Sequence, residues 1–465
     1  MKNGYGQIET SPGVRQVKKP IIEKSNEIYG RAVNVIPAGT QTYSKGVTQF
    51  VEGFAPKYLK RGKGAYVWDV DGNKYLDYIM GCHPIILGYA DPDVNQAVMD
   101  QLQLGSTFSL MNELEVDVAE LLIEAVPCAE GARFGKNGAD ATSAGVRIAR
   151  AVTGRDHIAY CGYHGWHDWY IANTDLNNGI PRFNQELAHS FVFNDLDSLE
   201  KIFKDNPDKI AIVIMEPLTI LEPKGNFLED VKGMAHHHGA LLMFDEIITG
   251  FRFSFGGAQE LTGVTPDLTA LAKAVSNGIP LSAIVGKKEY IFSLEKTFFS
   301  FTYGGDCVGL SAAKACIPKL KREKVSEHLW EVGAVLKNGF NSLAEQYGLT
   351  EFVQCIGYPC RTIISFDGCG RYDELEMKSY FQQELIRRGI LWTAYHAICF
   401  SHKAEDIAFS LECYEDVLRL FKKIVDGKKA IRPMIEGEPV KPVFRKVADF
   451  NAYTLKSKEQ NIEKT

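Results

Sequence analysis

The stretch Gly239-Ala-Leu-Leu-Met-Phe-Asp245-Glu246-Ile247-Ile-Thr-Gly250-Phe-Arg252 constrains this chain more than any other. Ala240 to Phe244 is an unbroken apolar run, as expected of a strand covered on both faces in a parallel sheet, and it stops at two adjacent carboxylates. Asp245 is therefore expected at the carboxyl end of that strand, the edge at which open α/β sheets bind their ligands. Ile210-Ala-Ile-Val-Ile-Met-Glu216 repeats the pattern, a buried strand ending in a carboxylate.

A further run, in Pro266-Asp-Leu-Thr-Ala-Leu-Ala-Lys273, stops at a lysine and gives way to the small-residue turn Ala274-Val-Ser-Asn-Gly278. An aspartate and a lysine brought together at strand ends are what pyridoxal phosphate chemistry requires. The amine forms a Schiff base with the cofactor aldehyde, and the carboxylate keeps the pyridine nitrogen protonated so that the ring accepts electrons. Alone, the two residues suit other sites as well, since strand-end Asp-Glu pairs hold magnesium and most lysines are solvated.

Three more motifs stand at element junctions. Ala132-Arg-Phe-Gly-Lys136-Asn137-Gly138-Ala139-Asp140 reads as a short strand turning through a glycine into a helix that runs to Arg150. Free N–H groups and the positive dipole end of such a helix suit a phosphate, although an ordinary strand-to-helix turn has the same pattern. The strand His157–Tyr160 is followed by Gly162-Tyr163-His164-Gly165-Trp166-His167, where an aromatic can lie on a flat ring; packing and a metal site are the alternatives. Thr302-Tyr303-Gly304-Gly305-Asp306 leads into a helix over Val308 to Leu320. By contrast His236-His237-His238 fan around a helix by about 100° per residue and cannot share one ion, so they read as a solvated helix end.

In this order, from about Arg31 to Ile424, these motifs resemble the class III, fold-type I pyridoxal phosphate aminotransferases, on the side of the glutamate-1-semialdehyde aminomutase branch. The resemblance implies an α/β fold: a large domain with a mostly parallel sheet and a smaller α+β domain. It makes Lys273 the Schiff-base lysine and Asp245 the partner of the ring nitrogen. The cofactor phosphate falls to Asn137-Gly138-Ala139, which stand where the family has serine, glycine and threonine, so two hydroxyls are missing and the backbone donors remain. Tyr163 takes one ring face, and Ile247, on the same side of an extended backbone as Asp245, takes the other. Thr302 reaches the phosphate of a neighbouring subunit, which implies a homodimer; Asp306 and Cys307 depart from the family's asparagine and proline.

The same comparison bears on the substrate. Ile36-Pro37-Ala38-Gly39 aligns with the loop in which the aminomutase carries a substrate-gripping arginine, and this puts Lys45 in its place. A lysine cannot form the planar two-bond clamp on a carboxylate. Gly81-Cys82-His83-Pro84 lacks the family's tryptophan, and His83 is expected to face the substrate together with Lys45. The expected activity is transfer of an amino group from a donor amino acid to an aldehyde or ketone, such as a sugar or other polar carbonyl compound. The alternatives are the aminomutase isomerisation and a non-catalytic pyridoxal phosphate-binding protein.

Domain organisation follows from the element pattern. Residues 1–85 are expected to form an N-terminal arm and a small-domain segment, the latter with a strand meander from Tyr58 to Tyr78 turned at Asp71-Gly72. Residues 86–320 form the large cofactor-binding domain, 321–430 a C-terminal small domain ending in a helix from Cys413 to Ile424, and 431–465 a polar tail. Trp169 to Asp195 reads as one long polar active-site loop. A net charge of −6 gives no basic field for nucleic acid or an anionic membrane, and no run of about 18 apolar residues would span one. Ten cysteines without a CxxC pair or zinc spacing read as reduced thiols of a cytoplasmic protein that holds no metal.

Overall fold

A computed structural model describes residues 17–442. Three antiparallel strands come first: β1 (Leu59–Lys63), β2 (Tyr66–Asp69) and β3 (Lys74–Asp77), the last two joined through Asp71-Gly72. The large sheet follows: β4 (Gly131–Gly135), β5 (His157–Cys161), β6 (Ala188–Ser190), β7 (Ile210–Met215), β8 (Leu241–Asp245), β9 (Leu268–Leu271) and β10 (Ser282–Gly286). Their order across the sheet is β4-β10-β9-β8-β7-β5-β6. All neighbours pair in parallel except β10, which runs antiparallel to both β9 and β4.

The central strands are apolar throughout because both of their faces are covered. Ile212, Ile214, Leu241 and Met243 pack with Ala141, Ala144 and Ile148 of the helix Gly138–Thr153. Their alternates Val213, Met215, Leu242 and Phe244 pack with Leu199 and Phe203 of the helix Leu196–Asp205, and with Leu228 and Val231 of the helix Phe227–His237. Alternation of side chains along each strand thus feeds two separate cores, and each fully buried large side chain contributes about 1.5–3 kcal/mol. The first helix lies close to the sheet at Gly145, where a Cβ would overlap Met243 Sδ.

The smaller lobe draws on both ends of the described chain. β11 (Val353–Tyr358), β12 (Arg361–Phe366) and β14 (Tyr395–Ala397) make a three-stranded sheet, while β13 (Ile390–Leu391) pairs in parallel with β3. Residues 59–77 and 390–391 therefore share one sheet, and the molecule is α/β with a parallel-rich main sheet.

Three local expectations are corrected. Trp169 to Asp195 is not one loop: it contains the one-turn helices Asp168–Ile171 and Phe183–Glu186 and the edge strand β6, whose Ala188-His-Ser is too short and polar to show periodicity. The last long helix begins at Ala404, well before Cys413, because its polar first turn is started by Asp406 accepting from Lys403 N at 2.9 Å. His236 is not simply solvated, since its Nε2 meets the buried Asp267 at 2.8 Å, and His238 stacks on Phe203 with centroids 4.4 Å apart. Residues 1–16 of the expected arm and 443–465 of the expected tail lie outside the described residues.

Candidate active site

Asp245 ends β8 at 3% exposure, and both of its oxygens are engaged. Oδ1 accepts from Ile247 N at 3.1 Å, and Oδ2 lies 2.8 Å from His164 Nδ1. The other nitrogen of His164, Nε2, faces the Cys161 carbonyl at 3.1 Å. That carbonyl can only accept, so Nε2 donates, and the contact with Asp245 requires a proton between Nδ1 and Oδ2. His164 thereby fixes the carboxylate's orientation from a fully buried position. Sequence reasoning gave this histidine no role, although it sits inside the Tyr163-His164-Gly165 triplet.

Lys273 lies just beyond β9, on the strand next to β8, and opens a single 3-10 turn, Lys273–Ser276, with φ +47°. A left-handed conformation at a non-glycine residue costs about 1–2 kcal/mol and persists only where its surroundings enforce it. They do so through Asn277, whose side chain accepts from Leu87 N at 2.9 Å and donates to Gly88 O at 3.0 Å. Burial first, and the charge of Arg361 second, lower the Lys273 amine from 10.5 to about 8, against opposing pulls from Glu216 and Asp245. The neutral, nucleophilic fraction at pH 7 rises by about two orders of magnitude as a result.

The turn Asn137-Gly138-Ala139 starts the helix Gly138–Thr153 at the end of β4. Asp140 Oδ2 accepts from Lys136 N at 2.9 Å and Asn137 N at 2.7 Å. Among the described residues no hydrogen bond engages the N–H groups of Gly138 and Ala139. A Cβ at 138 would stand 2.5 Å from Ile247 Cδ1, so a larger residue there would have to displace the end of that side chain. Ile247 is thus held between the carboxylate of Asp245 and the turn. The turn is also fastened to the segment carrying Thr302, through an ion pair of 2.7 Å between Lys136 Nζ and Asp306 Oδ2.

Tyr163 is partly buried beyond β5, and its N–H donates to Glu216 Oε1 at 3.0 Å, which joins the ends of β5 and β7. Thr302 is exposed, as is Tyr303 beside it. Lys45 is exposed in a short 3-10 turn and lines a cavity of about 570 Å³ with Gln41, Ser44, Gly81, Ile85 and Gly278. Lys273 and Asp245 do not line that cavity, although Gly278, in the turn after Lys273, does.

His83 is buried in a run of four left-handed residues, Met80, Gly81, Cys82 and His83. Its ring stacks on Tyr395 at 4.7 Å, and its Nε2 has no hydrogen-bond partner among the described residues. Burial, then the charges of Arg361, Lys273 and Arg252, hold this imidazole well below its usual range, so it is neutral at pH 7. The strained run is held by Arg252, fully buried, which donates to His83 O at 3.0 Å, Ile398 O at 2.6 Å and Cys360 O at 3.4 Å. Neither Arg252 nor Arg361 was singled out as a site residue from the sequence. The partners of Arg252 lie more than 100 residues away in the chain, so no local pattern marks it.

Pyridoxal phosphate fits these residues. A buried carboxylate held in a fixed orientation, an amine shifted toward neutrality and a helix start with free N–H groups stand at adjoining ends of one sheet. The cradle is kept open by Gly138, which no other residue could replace without displacing Ile247.

Comparison with known proteins agrees. A 3-aminobutyryl-CoA aminotransferase of Cloacimonas acidaminovorans (strain Evry) is 36% identical over 416 residues, covering 87% of this chain and 99% of that protein. The FumI protein of Sphingopyxis sp. MTA144, solved in its pyridoxal phosphate internal aldimine form, matches with a TM-score of 0.81 at 25% identity, over 88% of this chain and 99% of that one. A glutamate-1-semialdehyde aminomutase of Pseudomonas aeruginosa PAO1 shares the fold, with a TM-score of 0.75 at 22% identity over 86% and 94% of the two chains. The class-III aminotransferase family itself matches residues 50–396. This chain therefore belongs to the class-III aminotransferases, enzymes that depend on pyridoxal phosphate.

Proposed function

We propose that this enzyme transfers an amino group between two separate substrates, a donor amino acid and a polar aldehyde or ketone, and is not an isomerase. The observation that carries this reading is Lys45, exposed in its own recess, where an isomerase of this family would need an arginine at the reacting centre. A sugar is one acceptor of the required kind. The 3-aminobutyryl-CoA named for the relative is the amine counterpart of such a ketone, and its thioester carries no charge beside the reacting carbon. The cavity at Lys45 is large enough for the extended part of such a molecule.

The roles we propose are supported by the geometry described above. Pyridoxal phosphate, when bound, supplies a carbonyl for the amine and a ring that withdraws electrons from the substrate carbon. Lys273 would hold the cofactor and would move the proton to and from the substrate carbon. Asp245, oriented by His164, holds the proton on the ring nitrogen. Tyr163 and Ile247 cover opposite ring faces, the N–H groups of Gly138 and Ala139 beside Asn137 take the phosphate, and His83 faces the substrate.

Given an amino donor alone, the enzyme is expected to convert its cofactor once and stop, then resume when a carbonyl acceptor is added. Absorbance of the bound cofactor follows both steps. Rapid formation of 5-aminolevulinate from glutamate-1-semialdehyde with no added donor would refute the two-substrate reading.

The working unit we propose is a cytoplasmic homodimer in which Thr302 serves the neighbouring subunit's phosphate. Ten free thiols suit a reducing compartment. Leu104, Leu110 and Met111, 74–85% exposed, adjoin the Thr302 segment, where Phe298 and Tyr303 are exposed too. The two segments are joined by Cys307 N donating to Ser106 O at 2.8 Å. Such an apolar surface suits a second copy of the chain. Mixing Thr302→Ala and Lys273→Ala proteins should then restore about a quarter of all sites, because each heterodimer has one site free of both changes. Absence of recovery after verified subunit exchange would put Thr302 in its own subunit's site.

A further inference from the structure

We infer that the cavity on the outer face of the helix Gly138–Thr153 binds a nucleotide, its base held by Trp166, Asp140 and His167 and its phosphate by Arg147 and Arg150. No residue given a role in the reaction above lines this cavity.

The sequence of the helix sets up the site. Asp140, Ser143, Arg147 and Arg150 follow one another at steps of three, four and three residues, so they share one face. Ala141, Ile148 and Ala149 pack instead into the core on the sheet. All four polar residues line a cavity of about 520 Å³, bounded across from them by Trp166, His167, Phe299 and Phe301. That size suits a small ligand.

One end of the cavity matches the edge of a base. Trp169 Nε1 donates to Ser143 Oγ at 2.9 Å, so the Ser143 hydroxyl gives its own proton to His167 Nδ1 at 2.6 Å. His167 Nε2 therefore carries the ring proton, with burial keeping this imidazole below its usual range against the pull of Asp140 and Asp168. Nε2 stops 4.0 Å from Asp140 Oδ1, beyond hydrogen-bonding range. The other oxygen of Asp140 is occupied by Lys136 N and Asn137 N, and among the described residues neither Oδ1 nor Nε2 has a hydrogen-bond partner. A ring edge with a donor beside an acceptor satisfies both atoms, and adenine offers that pair in its amino group and the ring nitrogen next to it. Trp166, 67% exposed and perpendicular to His167 at 4.8 Å between centroids, supplies a face on which the base can stack.

The other end matches a phosphate. Arg147 and Arg150 each spend one nitrogen on a backbone carbonyl, Phe298 O and Asp156 O, both at 2.8 Å. Among the described residues neither forms an ion pair, so two guanidinium groups one turn apart are left for the oxygens of a single anion. Asp140 and Arg147 stand two turns, about 10 Å, apart along the helix axis. Base edge and anion must therefore be joined through a spacer, as a ribose joins them, and an inorganic phosphate or a single-ring acid does not span the two ends.

The test titrates the holoenzyme, in the assembly it forms in solution, with AMP, adenosine and ribose 5-phosphate by calorimetry. AMP should bind at least about tenfold more tightly than either fragment, because it alone reaches both ends. Trp166→Ala should weaken AMP about tenfold, as loss of one stacking partner does. Replacing both arginines, Arg147→Gln with Arg150→Gln, should reduce AMP to the affinity of adenosine. Tighter binding of adenosine 3′,5′-bisphosphate than of AMP would mark the nucleotide end of a carrier thioester, and equal or weaker binding a free mononucleotide; either upholds the site. AMP affinity unchanged in the double arginine variant places the nucleotide elsewhere and overturns the inference. If that variant does not fold, the two single variants decide, and wild-type affinity in both overturns it equally. AMP bound no more tightly than ribose 5-phosphate, or not bound at millimolar concentration, overturns it as well.

Discussion

Asp245→Asn is expected to fold, to keep cofactor, and to lose about 10²- to 10³-fold in turnover, as deletion of one preorganised electrostatic group does. The hydrogen bonds explain why the protein should survive. The amide oxygen can still accept from Ile247 N, now at the place of Oδ1, while the amide nitrogen donates to His164 Nδ1. His164 can meet it as the neutral tautomer, still donating from Nε2 to the Cys161 carbonyl. Every polar atom remains paired, and only the charge opposite the pyridine nitrogen is lost. Turnover within a few-fold of wild type would remove Asp245 from its assigned role, and an unfolded variant would show that the amide network just described does not form.

Arg252→Met should weaken the fold by about 2–4 kcal/mol and abolish most activity, although Arg252 touches neither the reacting amine nor the phosphate turn. Two opposed terms decide the size. Its removal strands the carbonyls of His83, Ile398 and Cys360, at about 1–3 kcal/mol for each buried group left unpaired. Against this, burial disfavours the guanidinium charge enough to lower it to about 10, so losing the cation recovers part of that penalty. The activity loss has a separate source. Met80 to His83 all hold positive φ, and without the arginine the run is free to relax and carry His83 away from Lys273. Arg252→Lys, able to reach fewer carbonyls, should fall between the two. A denaturation midpoint unchanged in the methionine variant would show that these carbonyls find other donors.

What could be read from the sequence was whatever a short window contains. Asp245 and Lys273 were legible because each closes an apolar run with a charge, and the turn at Asn137-Gly138-Ala139 because a strand passes through glycine into a helix. β10 escaped notice since Ser282-Ala-Ile-Val-Gly286 has only three apolar residues between a serine and a glycine, and β6 since three residues carry no period. The partnership of His164 with Asp245 spans 81 residues, and that of Arg252 with His83 spans 169. Such pairs exist only once the sheet and the smaller lobe have assembled. Lys45, given a place at the substrate by alignment to an arginine, lies in an exposed turn that lines a recess together with Gly81 and Gly278.

The antiparallel strand β10 sets a limit on the enzyme's selectivity. Because the chain returns directly beside β9, with Leu271 facing Ala283, the segment bearing Lys273 is moored at both ends. Asn277 ties its middle to residues 87 and 88, and Cys316 Sγ donates to Ala274 O at 3.5 Å. The backbone under the lysine is therefore held at several points, and the four methylenes of its side chain set how far its amine reaches. On the role proposed for Lys273, a single tether of fixed length would have to reach the cofactor at rest and the substrate carbon in turnover. The arc it sweeps fixes how far from that carbon any recognised group can lie, so candidate substrates are sorted by a ruler as well as by charge.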